Sequence, residues 1–196
     1  MSGRFWEFQQ LTDSLKGISH FDHIPKAGKL YIGGLSALYK EPDPLQEAGI
    51  THVLTVLDFD VRDAKQLQNY HRLMIRVEDT AEDDLLKHFP DVCGFIDAGL
   101  DSGGGVFVHC AMGVSRSATV VMAYLIWKLP GMTMKGAWDK VKESRARVRP
   151  NVGFVKQLKV WERMCREKGG WDEEMYGRWK REGWDGGNVE GKKGKL

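Results

Sequence analysis

The chain has 196 residues, the length of one domain able to bury a substantial core. Its 42% apolar and 29% charged residues fit a soluble globular protein, and 29 basic against 27 acidic side chains leave a net charge of only +2. That balance gives no reason to expect direct nucleic-acid binding or an anionic membrane surface. The longest strongly apolar stretch, Ala118 to Trp127, is too short to cross a bilayer, and the N-terminus lacks the apolar core of a signal peptide. A cytoplasmic or nuclear protein is therefore expected.

Residues 1–28 read as an N-terminal extension. KLYIGG (29–34) predicts a short strand stopped by paired glycines, and DPLQEAGI (43–50) a short helix ending at Gly49. THVLTVL (51–57), rich in β-branched residues, predicts a buried strand, and HRLMIRV (71–77) another. The period then changes. Leu85, Phe89, Val92, Ile96 and Leu100 mark one face of a helix, with Thr80 and Asp83 as a capping pair and Asp83 and Asp84 in its first turn. SGGG (102–105) ends it, and VFVH (106–109) is a strand of the fully buried kind. SRSATVVMAYLIWK is a helix apolar on most sides, hence central. Residues 133–148 and 151–169 predict two amphipathic helices separated by Pro150. This alternation implies an α/β fold over 29–168, a mostly parallel or mixed central sheet flanked by helices. The glycine-rich, charged segment 169–196 reads as a linker or tail, although its tryptophans could instead dock on the domain or on a partner.

The cysteines, Cys93, Cys110 and Cys165, are too few and too far apart for a disulfide framework or a zinc motif. Cys93 and Cys165 sit among apolar residues at helical spacing and read as core thiols. Cys110 stands where a buried strand gives way to HCAMGVSR (109–116) and then to a helix. Strand ends of this kind hold the ligand crevices of open α/β sheets. The free amides and positive dipole end of the next helix favour a thiolate. Those same amides, from Ala111, Met112, Gly113, Val114, Ser115 and Arg116, can cradle a tetrahedral anion. Gly113 permits a close turn, and the Arg116 guanidinium offers a planar fork to two phosphate oxygens. Nucleophile, cradle and arginine converge on one phosphate, which points to covalent phosphoryl transfer through a phosphocysteine. The acid such chemistry needs has candidates in Asp79, Asp83 and Asp84. Asp79 follows a strand directly, whereas a helical first turn explains the other two. A basic set, Lys140, Lys142, Arg145, Arg147 and Arg149, could attract an acidic substrate or could simply be a solvated helix face.

VHCAMGVSRSATVVMAYLI, with GGGVFVHC before it and NVGFVKQLKVWE after it, resembles the dual-specificity branch of the cysteine-dependent protein phosphatases. The likeness runs from about Lys29 to Glu167 and includes LYIGGLSAL and DPLQEAGITHVLTVL. It implies the protein tyrosine phosphatase fold and a phosphorylated protein substrate, with no metal and no cofactor. It also implies Asp79 as the acid, Ser117 as the hydroxyl assisting thiolate departure, His109 tuning the thiol, and Asn151 bracing the loop. As bare residues, Ser117 and Asn151 also read as helix N-terminal groups that satisfy backbone amides. Within that branch the chain is most similar to the fungal Yvh-type phosphatases, which carry a C-terminal zinc-binding domain and are tied to maturation of the large ribosomal subunit. Zinc cysteines are absent here, so the expectation is a catalytic domain plus linker, with a pre-ribosomal particle as a further partner. Other readings are an RNA or lipid phosphatase, or a phosphoprotein-binding scaffold or ribosome-assembly factor whose activity is dispensable. The uncharged loop interior argues against phosphoinositides, and Ser115-Arg116-Ser117 differs from the Asn-Arg-Thr ending common in RNA triphosphatases.

Overall fold

Short runs become strands because each is bounded by a turn or loop and has at least one neighbour to pair with. In the computed structural model, which describes residues 20–61, 65–183 and 186, these are β1 (Phe21–His23), β2 (Leu30–Gly34), β3 (Ile50–Val56), β4 (His71–Ile75) and β5 (Gly105–Cys110). They form one sheet in the order β1-β2-β5-β3-β4. All pairings are parallel except β1 with β2, so the sheet is mixed. β1 falls inside the segment read as an extension. Three residues, two of them polar, carry no usable periodicity. Residues 1–19 and 187–196 lie outside the described residues.

The helices are α1 (Pro44–Glu47), α2 (Phe89–Asp101), α3 (Arg116–Lys128), α4 (Met134–Ser144), α5 (Val152–Lys168) and α6 (Glu173–Glu182). Side chains alternate across β5. Val106, Val108 and Cys110 join the larger core beneath α2, α3 and α5, while Phe107 faces the smaller core of Leu35, Leu38, Leu45, Val53 and Leu67. α3 is buried from Arg116 to Ile126, as its all-round apolar surface requires. The Trp161 indole of α5 crosses it and donates to the Ala123 carbonyl at 3.0 Å. Among the described residues, no helix is long and apolar enough to cross a membrane.

The helix expected to open near Asp83 begins at Phe89, after a short 3₁₀ turn over Leu86–His88. Pro90 explains the late start, because proline is tolerated in a helix only in its first turn. Asp83 and Asp84 therefore lie in a loop, where Thr80 Oγ1 still donates to Asp83 Oδ2 at 2.6 Å. Two helices hold that loop. Gln157 of α5 accepts from the amides of Leu85 (2.9 Å) and Leu86 (2.8 Å) and donates to the Asp83 carbonyl at 2.7 Å. Tyr176 and Lys180 of α6 donate to Asp84 Oδ2 at 2.7 and 3.3 Å. Much of the segment read as linker or tail is thus a helix, with Trp171, Met175, Tyr176 and Trp179 against the main core.

Gly153, in the first turn of α5, presses on the same loop, and a Cβ there would stand 2.0 Å from the Ala81 carbonyl oxygen. Gly153→Ala is expected to lower stability by about 1–3 kcal/mol in urea titration. Because the displaced loop carries Asp79, turnover should fall as well.

Candidate active site

The loop from Cys110 to Arg116 is shaped by the bonds on its outside. The Ala111 carbonyl accepts from the Leu35 amide at 3.0 Å, and the Val114 carbonyl from the Arg149 amide at 2.9 Å. Arg145 spans the two between, its Nη2 donating to the Met112 carbonyl at 3.2 Å and its Nε to the Gly113 carbonyl at 2.8 Å. The Ser115 carbonyl is taken by the Thr119 amide and hydroxyl, each at 2.9 Å. A trans peptide sets each carbonyl opposite the next amide, so carbonyls turned outward leave the N–H groups from Met112 to Arg116 turned inward. Gly113 has φ 69°, and an added Cβ would stand 2.5 Å from the Gly33 backbone and 2.8 Å from Arg145 Nη2. The glycine is required by what packs behind the loop as much as by the turn.

Cys110 sits on the floor of this ring, only 2% exposed. The Gly113 amide donates to its sulfur at 3.2 Å, and Ser117 Oγ lies 3.3 Å away. Burial alone pushes the thiol up. The Ser117 hydroxyl and amide, the Arg116 charge and the Val114 amide outweigh it, and the net effect holds the thiol below its ordinary range. Cys93 and Cys165 show the opposite: burial raises Cys93 well above the ordinary thiol range and Cys165 to about 12.

His109 points to the other face of β5 and is fully buried. Its Nδ1 lies 3.4 Å from the Cys110 carbonyl, an acceptor, so Nδ1 carries the proton and Nε2 accepts from the Thr55 hydroxyl at 2.7 Å. Burial lowers its pKa to about 4, which keeps the ring neutral.

Arg116 is 7% exposed and held from the carboxyl ends of two neighbouring strands. Its Nη1 donates to Asp58 Oδ1 and to the Val77 carbonyl, both at 3.1 Å, and its Nε lies 3.9 Å from Asp79 Oδ2. That Nε is buried without a hydrogen-bond partner, the state of a donor that an anion in the ring would satisfy. Asp79 Oδ1 accepts from Ser115 Oγ at 2.6 Å and from the Asn151 amide group at 2.9 Å. Asn151 is both cap and brace. Its Oδ1 accepts from the Phe154 amide at 2.9 Å, and its backbone N–H donates to Ser115 Oγ at 3.1 Å.

The structure thus brings Cys110, Arg116, Asp79, Ser117, Ser115 and Asn151 to one place, whereas Asp83 and Asp84 are engaged elsewhere in their loop. Two residues escaped the sequence reading. Asp58 follows a strand by two residues, the same signal that singled out Asp79. Arg145, counted with a solvated basic face, is 3% exposed and also pairs with Asp22 through Nη1. α4 ends at Ser144, so Arg145 leaves the helix periodicity just where it turns inward. Among the described residues, no group of three or more His, Cys, Asp or Glu could hold a metal ion.

A buried thiol with a lowered pKa inside a ring of amides closed by an arginine, at the end of a central parallel strand, defines a cysteine-dependent phosphatase site. Residues 30–164 match the family model described as dual specificity phosphatase, catalytic domain, and the chain belongs to that family, within the protein tyrosine phosphatase superfamily. It is 41% identical over 135 residues to dual specificity protein phosphatase 1B of Arabidopsis thaliana, covering 68% of this chain and 78% of that one. It is 39% identical over 136 residues to mouse dual specificity protein phosphatase 12, covering 69% of this chain but only 40% of the mouse protein. Among solved structures, the Yvh1 phosphatase domain from Chaetomium thermophilum aligns with a TM-score of 0.67 and 33% identity, over 75% of this chain and 98% of that one. Human DUSP28 aligns at 0.69 and 29% identity, over 76% and 97%.

Arg145→Met should remove two charge-assisted bonds from the back of the loop, costing about 2–3 kcal/mol in denaturant titration and slowing turnover more than tenfold. A pH dependence follows from His109. Its folded pKa of about 4 lies below the ordinary 6.5, so the unfolded chain takes up the proton first. The stability it contributes is complete above about pH 6.5 and lost as pH falls toward 4, a total of about 3 kcal/mol. His109→Gln is expected to flatten that part of a stability-versus-pH curve measured by urea unfolding.

Proposed function

We propose that the chain hydrolyses phosphotyrosine and phosphoserine or phosphothreonine esters of proteins through a phosphocysteine at Cys110. The observation that carries this is the Cys110 sulfur at the floor of a ring whose carbonyls are all bonded outward, with an Arg116 nitrogen that makes no hydrogen bond. The Cys110 thiolate attacks phosphorus in line; the S–P bond forms as the ester P–O bond breaks. The inward amides and Arg116 hold the equatorial oxygens. Asp79 gives a proton to the departing oxygen from Oδ2, since Oδ1 is already engaged by Ser115 and Asn151. A water then attacks the phosphocysteine and loses its proton to the Asp79 carboxylate. The S–P bond breaks, the Ser117 hydroxyl donates to the departing thiolate, and inorganic phosphate leaves.

The free thiols of Cys93, Cys110 and Cys165 support a reducing compartment, cytoplasm or nucleus, as the working place. A second reading, action at a pre-ribosomal particle, is supported by the likeness to the Yvh1 phosphatase domain. Co-sedimentation of the chain with large-subunit precursors tests it, and absence from those fractions rejects it.

The reaction itself is tested by hydrolysis of p-nitrophenyl phosphate and of phosphopeptides. The wild type should turn over, Cys110→Ser should be inactive, and Asp79→Asn should lose about 10²–10⁴ in rate. An inactive wild type, or an active Cys110→Ser, removes the phosphocysteine route; an unimpaired Asp79→Asn moves the acid elsewhere.

A further inference from the structure

Asp79 and Asp84 share one loop with no helix or strand between them, so the bonds made along it decide where the acid stands. From the α5 side, Asn151 donates to Asp79 Oδ1 and, at 3.0 Å, to the Thr80 carbonyl, and Gln157 holds the stretch from Asp83 to Leu86. The Asp84 side chain is only 10% exposed although it lies outside the phosphate ring. Its Oδ1 accepts from the Lys87 amide at 3.2 Å, and α6 supplies the Tyr176 hydroxyl and Lys180 Nζ to its Oδ2, at 2.7 and 3.3 Å. A carboxylate this buried is costly unless its oxygens are satisfied, so the loop is drawn to where the Tyr176 hydroxyl stands. Tyr176 is itself fixed. Its ring packs against Trp171 and Trp179, with centroids 4.8 and 5.8 Å apart, and Lys180 lies 5.3 Å over the Trp179 ring. Burial, with the bond to Asp84, pushes the Tyr176 phenol up to about 12, so it stays a donor at working pH. The half-exposed Lys180 adds less.

We propose that Tyr176 and Asp84 are positioning residues for the reaction: their hydrogen bond ties α6 to the acid's loop and sets how often the Asp79 carboxyl stands where a departing oxygen can take its proton. The inference rests on the reading of Asp79 as the acid. It extends that reading to a helix beyond residues 30–164, the span of the family match. Leaving-group chemistry separates this role from a general one in folding, because a poor leaving group depends most on the proton. The phenol of phenyl phosphate resembles a tyrosine side chain, with a pKa of about 10, and needs it. The p-nitrophenolate ion is a weaker base and departs with less help. Hydrolysis of the phosphocysteine is the same step for both substrates, and kcat/KM covers only the steps through P–O cleavage.

The test measures kcat/KM for phenyl phosphate and p-nitrophenyl phosphate with the wild type, Tyr176→Phe and Asp84→Asn, each alone and combined with Asp79→Asn. Tyr176→Phe is expected to lower the value for phenyl phosphate about tenfold, the size of one hydrogen bond to a charged group. The value for p-nitrophenyl phosphate should fall by less than about threefold, and alkylation of Cys110 by iodoacetamide should keep its wild-type rate. Asp84→Asn should act in the same direction. In the Asp79→Asn background neither substitution should have a further effect, because the group they place is gone. Equal losses on the two substrates, or a loss that persists without the Asp79 carboxyl, show a general destabilisation and overturn the positioning role. A Tyr176→Phe enzyme with the wild-type rate on phenyl phosphate overturns it too. If Asp79→Asn equals the wild type on phenyl phosphate, the acid reading falls and this inference with it. Inactivity of the wild type toward p-nitrophenyl phosphate instead rejects the underlying reaction.

Discussion

The active loop depends on one constraint: its carbonyls must be held away from the centre it surrounds. A ring of peptide groups with oxygens turned inward would repel an anion, and the difference between repulsion and cradle is only the rotation of each peptide plane. The rotation is fixed by donors behind the loop, from Leu35, Arg145, Arg149 and Thr119. Arg145 serves two adjacent carbonyls and reaches Asp22, beside the antiparallel edge of the sheet. The first strand, the segment after α4 and the catalytic loop are therefore one bonded unit, although they are distant in sequence.

The same arrangement settles the electrostatics of Cys110. A thiol this buried would ordinarily be harder to ionise, as Cys93 and Cys165 are. Inward amides, the Ser117 hydroxyl and the Arg116 charge reverse the outcome without exposing the sulfur. Arg116 is in turn kept from collapsing onto the thiolate by Asp58 and the Val77 carbonyl, which anchor one nitrogen and leave Nε open. Burial and a lowered thiol pKa, normally opposed, coexist because the compensating groups are fixed before any substrate arrives.

The central strand, the loop and the helix after it were legible because their chemistry is local: a buried run, then HCAMGVSR, then an apolar helix. Asp79 was singled out by its place after a predicted strand, and it lies beside Ser115 and Arg116. What escaped lacked a local signature. β1 is too short to show a period, and the 3₁₀ turn before Pro90 hid inside a helical pattern that it interrupts. Arg145 looked like one of several surface cations, because nothing in SRARVR tells which side chain turns inward. Long-range bonds are the common element of what was missed. They depend on which distant carbonyls end up within reach, and spacing along the chain does not encode that.

The grip on Asp84 has a consequence for where the working unit ends. The family match stops at residue 164, yet Tyr176 and Lys180, beyond it, hold the loop that also carries Asp79. A chain cut after Lys168 would keep every member of the phosphate ring and lose one of the two helices that hold the loop carrying Asp79. Cys110 and Asp79 would then part company. The surroundings of the sulfur would stay as they are, while the Asp79 carboxyl would be held less firmly beside Arg116.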